Sequence, residues 1–177
     1  MGPRLLFICL FIFSFSYSQK ESFPYIIVLG TIQDAGSPHM GCEKSCCISL
    51  FKNPDPNRKV VSLGLVDPSE KKYWLIEASP DFITQCRDLK TISKFEHAKS
   101  PDGIFLTHAH IGHYTGLMYL GKESYNSRDV PVFAMTRMKG FLIQNGPWSQ
   151  LFKINNIKIN NINHQEEIKL SNNLSIT

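Results

Sequence analysis

Nowhere in the chain do five basic residues adjoin, so the footprint of a nucleic-acid binder is missing. The formal charge is only +4. No internal repeat is present, which excludes a solenoid or propeller. Beyond the first residues no apolar stretch is long enough to span a membrane, and that excludes a multi-pass protein. Charged residues make up 19% of the chain and hydrophobic residues 42%, a balance far from that of a disordered segment. At 177 residues the chain fits one domain with a real core.

The first residues read as an export signal rather than as fold. Arg4 precedes the apolar run LLFICLFIFSF, and small residues stand at Ser16 and Ser18. Cleavage after Ser18 is expected, leaving residues 19–177 as one domain in the periplasm or outside the cell, with no membrane contact. The run is short for an uncleaved anchor. Cys9 follows Ile8, not the small residue that lipoprotein processing wants.

Without Cys9, four cysteines remain: Cys42, Cys46, Cys47 and Cys86. In an oxidising compartment they are enough for two disulfides. The neighbours Cys46 and Cys47 bridge each other only with strain. The stretch HMGCEKSCC offers an alternative: three thiolates, joined by the imidazole of His39, around a tetrahedral zinc. Structural metal, disulfide and free thiols all remain open from the sequence.

Short apolar runs alternate with turn formers and helical spacings, which predicts an α/β architecture. Strands are expected at 24–30, 59–66, 72–78, 103–108 and 130–135. The DPSE turn joins the second and third as a hairpin. Ser79-Pro80-Asp81 predicts a helix start, with Phe82, Ile83, Cys86 and Leu89 at helical spacing. A short helix is expected after the third histidine of the loop, and another from Thr136 to about Asn145, stopped by Gly146-Pro147. From 151 onward isoleucines alternate loosely with Asn and Lys, which predicts several short strands.

The chemistry concentrates in GIFLTHAHIGHYTGL. Three of the six histidines, His108, His110 and His113, fall within six positions at the end of a predicted strand. Imidazoles two apart in a turn can bind one ion from the same side, and His113 lies near enough to join them or to hold a neighbouring ion. An open position on such an ion carries a water acidified towards neutrality. Gly112 stands where a carboxylate would be useful. Carboxylates elsewhere are candidates to support the histidines: Asp34, more simply a turn former; Asp81, more simply a helix cap; and Glu77, which ends an apolar strand and needs a partner if buried. His97 reads as a surface residue, and Trp74 and Trp148 as packing.

THAHIGHYTGL resembles the His-x-His-x-Asp-His signature of the metallo-β-lactamase fold. VLGTIQDAGSPHMGC is similar to that family's first strand and glycine-containing loop, and LIEASPD to its hairpin-to-helix segment. Both resemble most the branch around the pyrroloquinoline-quinone biosynthesis B protein. The resemblance implies an αββα sandwich, incomplete here at its C-terminus, since family members run well past 200 residues. It implies His108 and His110 at a first metal and His113 at a second, whose Asp is replaced by Gly112. The implied cofactor is zinc, one ion or two, with iron as an alternative. The implied function is hydrolysis of a small-molecule substrate by a metal-bound water. A metal-dependent oxidoreductase and a non-catalytic, vestigial metal binder are the alternatives. His164, the only histidine downstream, sits outside the family's ligand context, and a partial domain with open sheet edges is expected to self-associate.

Overall fold

The computed structural model describes residues 23–95 and 99–177. The export signal, Cys9 and His97 lie outside the described residues. Among the described residues no helix is long and apolar enough to cross a membrane.

A six-stranded sheet follows chain order from edge to edge. Its first half is an antiparallel meander of β1 (Tyr25–Gly30), β2 (Ser62–Asp67) and β3 (Lys72–Ile76). β4 (Gly103–Phe105), β5 (Val130–Met135) and β6 (Ile157–Ile162) then add in parallel. Parallel neighbours cannot be joined by a tight turn, so each pair needs a crossover. α1 (Ser45–Ile48) lies in the long connection between β1 and β2. α2 (Phe82–Ser93) carries the chain from β3 to β4. α3 (Ile111–Tyr114) and a 3-10 turn over Thr115–Leu120 join β4 to β5. α4 (Thr136–Gln144) and α5 (Trp148–Lys153) join β5 to β6. A small hairpin, β7 (Ile168–Lys169) with β8 (Ser175–Ile176), closes the described chain.

The period of two along each strand sorts side chains onto two faces. Leu75, Ile104, Val132 and Ile159 join Leu89, Leu117, Met138 and Leu142 from the helices in the larger core. Their alternates Trp74 and Phe105 turn to the opposite face, where Ile168, Leu170, Leu174 and Ile176 of the hairpin region cover them. The rings of Phe105 and Phe133 stack there with centroids 4.4 Å apart. Helices thus cover one face and the hairpin part of the other. Asp67 ties the hairpin to the β2–β3 turn: it accepts hydrogen bonds from Ser171 Oγ and from the hydroxyl and N–H of Ser69. Burial opposes its charge, but these bonds, together with one from the Glu70 N–H, hold it below the ordinary carboxylate range.

The departures from expectation have local causes. β2 starts at Ser62 rather than 59, because α2 holds the residues before it: Val60 N–H donates to Asp81 Oδ2 at 2.8 Å and Val60 O accepts from Gln85 Nε2 at 2.6 Å. Asp81 stands at the N-cap position of α2 yet caps nothing with its side chain. Its carboxylate is engaged by Val60 and not by the histidines, so it braces the sheet. Thr136 likewise does not cap α4; its hydroxyl donates to Asn161 Oδ1 at 3.1 Å. β4 ends at Phe105, before the expected His108, because the Thr107 N–H goes to a side chain instead of a strand. α5 runs where short strands were expected to begin. Pro147 does end the helix before it, but proline also suits a helix start, and α5 follows at once.

Candidate metal centre

β3 ends at Ile76, and the chain must turn before α2. Glu77 makes that turn with φ +75°, a left-handed backbone that costs a non-glycine residue on the order of 1–3 kcal/mol. Three hydrogen bonds stitch the turn to the histidine loop. Glu77 N–H donates to Phe105 O at 2.8 Å, Ala78 N–H to His113 O at 2.9 Å, and Gly116 N–H to Ala78 O at 2.8 Å. Gly116 is required there: a Cβ would lie 2.2 Å from Ser79 O. The strained turn therefore aims Glu77 beneath the histidines, where it is only 4% exposed.

Glu77 Oε1 accepts from the Thr107 N–H at 3.2 Å and, by a short contact, from the Thr107 hydroxyl. The same hydroxyl lies 2.8 Å from His108 Nδ1. A threonine has one hydroxyl proton. With that proton given to the carboxylate, Thr107 must accept from His108 Nδ1–H, which leaves the Nε2 lone pair of His108 bare. Glu77 thus sets a ligand-ready tautomer through a threonine relay. Its other oxygen, Oε2, faces His113 Nδ1 at 3.5 Å, and neither atom has a hydrogen-bond partner among the described residues.

Burial acts on this pair in opposite directions. It lifts the Glu77 carboxyl above the ordinary glutamate range, against the Thr107 hydrogen bonds and the pull of His108. It lowers His113, helped by His110 and opposed by Asp34. The shift favours the neutral imidazole, the form a metal needs. A buried acid facing a buried neutral base, both unsatisfied, is a costly arrangement unless a cation joins it.

Glu77, His108 and His113 each present a ligand-type atom within 4.8 Å of one another. The imidazole of His108 is central: its ring centroid is 4.2 Å from His113 and 4.5 Å from His110. His110 stands outside the compact group, 73% exposed, with Nδ1 3.7 Å from Asp34 Oδ2. The sequence thus points to three histidines, and the structure groups two of them with Glu77 and turns the third towards Asp34. Beside His108 opens a cavity of about 600 Å3, whose lining includes Arg137, Phe141 and His164. His164, set outside the ligand context on the sequence, lines this cavity from the segment after β6. The donor set fits a divalent cation of zinc type: two imidazoles whose protonation is arranged for binding, backed by a buried carboxylate.

The other cluster lies in the loop around α1. The sulfurs of Cys42, Cys46 and Cys47 fall within 4.8 Å of one another, and all described cysteines are free. His39 does not join them; its Nδ1 lies 2.9 Å from Met40 O. Cys86 is elsewhere, against the main core, and burial pushes its thiol up to about 12, so it is inert.

A family model for the beta-lactamase superfamily domain matches residues 72–177, which is more than half of the chain. The chain belongs to the beta-lactamase superfamily. The matched span runs from β3 and contains Glu77 and all three loop histidines. Two solved structures of this fold resemble the chain. Zn2+-bound PqqB from Methylobacterium extorquens aligns with a TM-score of 0.67 at 22% identity, over 86% of this chain and 54% of that one. A diphosphatase of the PhnP family aligns with a TM-score of 0.59 at 24% identity, over 83% of this chain and 53% of that one. Identities this low establish the fold alone. The chain spans about half the length of these two structures. No curated protein matches it.

Proposed function

We propose that the protein is a metal-dependent hydrolase of small anionic esters, with zinc held at the loop of His108, His110 and His113. The observation that carries this is the facing pair of Glu77 Oε2 and His113 Nδ1, buried, 3.5 Å apart and both unsatisfied. Glu77 acts as the positioning residue, fixing His108 through Thr107 and backing His113. Zinc bound there would supply an acidified water as nucleophile. The cavity beside His108 is lined by Arg137 and His164 and by no carboxylate, so it suits a substrate of negative charge such as a phosphodiester. The neighbours agree with this reading: one holds Zn2+ and another is a diphosphatase. Cys42, Cys46 and Cys47 form, in the same reading, a separate structural zinc site that stiffens the first loop.

The test is hydrolysis of nitrophenyl esters and phosphodiesters by metal-loaded protein, beside the same protein after chelation and beside His110→Ala. Activity that needs metal and falls by at least ~100-fold in the variant is expected, in line with loss of a metal-bound nucleophile. Activity unchanged by either treatment would sink the proposal. Oxygen consumption that depends on added iron, with no hydrolysis, would move the site to oxidoreductase chemistry.

A further inference from the structure

Gly112 has no side chain, and the reason lies in a distant residue. A Cβ built at 112 would fall 2.4 Å from Asp34 Cβ and 2.3 Å from Asp34 O. Asp34 therefore leaves its backbone at nearly the point in space where a side chain of residue 112 would leave its own. Its carboxylate then enters the histidine loop, with Oδ2 3.7 Å from His110 Nδ1. The loop that delivers it is braced. Ile32 pairs with Val60 in a bridge, Val61 N–H donates to Ile32 O at 2.8 Å, and the Gln33 side chain accepts from Ala35 N–H at 3.0 Å. The carboxylate thus reaches an imidazole of the loop from a braced turn.

We propose that Asp34 is a metal ligand of the histidine centre, supplying from the first loop the carboxylate that Gly112 does not. A carboxylate oxygen is a good zinc ligand beside imidazole. The glycine and the aspartate form one exchange: position 112 gives up its side chain so that Asp34 can occupy the space. The inference rests on the metal-centre reading above and adds a ligand to it.

Asp34→Asn keeps the shape and removes the charge. Metal content per chain and zinc retention against a chelator are measured on wild type, Asp34→Asn and His108→Ala/His113→Ala. Asp34→Asn is expected to hold fewer ions, or to lose zinc at least as readily as the ~10–100-fold weakening that follows loss of an outer partner. Its melting temperature in the metal-free state should match wild type, because the charge acts on the ion and not on the fold. Equal metal content and equal retention in Asp34→Asn, with metal lost from the double histidine variant, would overturn this inference alone. If the double variant keeps all the metal, the histidine centre itself fails and the role of Asp34 fails with it.

Discussion

The molecule holds two clusters able to bind a cation, and they are built in opposite ways. The cysteine group lies in a surface loop, gathered from six consecutive positions around the short α1. The histidine group sits at the ends of core strands, and its members come from three separate segments: the loop after β4, the turn after β3 and the loop after β1. A local cluster needs only a compact loop, and it gathers three soft ligands. A cluster assembled at the ends of neighbouring strands can be strained, buried and still open on one side, which is what chemistry needs. The difference predicts that metal at the cysteines contributes to stability, whereas metal at the histidines contributes to reactivity.

Replacing Cys42, Cys46 and Cys47 together by serine should have the largest effect on folding and little on chemistry. Zinc at 100 times its dissociation constant stabilises by about 2.7 kcal/mol, and calorimetry with and without zinc should find that gain missing in the variant. The metal that remains should still disappear with His108→Ala/His113→Ala. If the serine variant loses all metal, the two sites are not independent.

Glu77→Gln comes next and should act in two directions at once. Zinc affinity is expected to fall by ~10–100-fold, about 1.4–2.8 kcal/mol, because the relay through Thr107 and the backing of His113 weaken. The metal-free protein should melt higher at neutral pH than wild type, since a buried charge is gone. A variant that lost stability but kept zinc would show Glu77 to be purely structural.

Gly112→Ala places a methyl against backbone of the first loop, which cannot swing aside as a flexible side chain would. A cost of about 1–3 kcal/mol in unfolding free energy is expected, together with weaker metal retention. An alanine accepted without change in either would mean the two loops do not touch in solution.

The smallest effect is the pH dependence of the metal-free protein. Glu77 is raised, so its stabilising contribution is complete below about pH 4.5 and is lost as pH climbs through the raised value. His113 is lowered, so its contribution is complete above about pH 6.5 and is lost as pH falls through the lowered value. Denaturant titrations across this range should show the first slope vanish in Glu77→Gln while the second remains.

What the sequence could disclose follows the same division. The cysteine cluster was legible because its members are neighbours. So were β1, the β2–β3 hairpin and β5, each a run of one period bounded by turn formers. The three histidines and the suspicion about Glu77 were also local. The tautomer relay was not, because Thr107 and Glu77 meet only when β4 lies parallel to β3. Gly112 read as a missing carboxylate, and only the fold reveals that Asp34 fills the space. Asp81 illustrates the converse: its position signals a cap, but a backbone N–H of the sheet claims its carboxylate. α5 was hidden by a proline that serves as both stop and start.

The most direct test of the account counts metals per chain in residues 19–177 by plasma mass spectrometry, for wild type and for His108→Ala/His113→Ala. The account predicts that wild type carries metal which the double variant loses, while the cysteine-bound share stays. Equal metal in both would contradict it, placing the ion on the cysteines alone and leaving the buried Glu77–His113 pair without its cation.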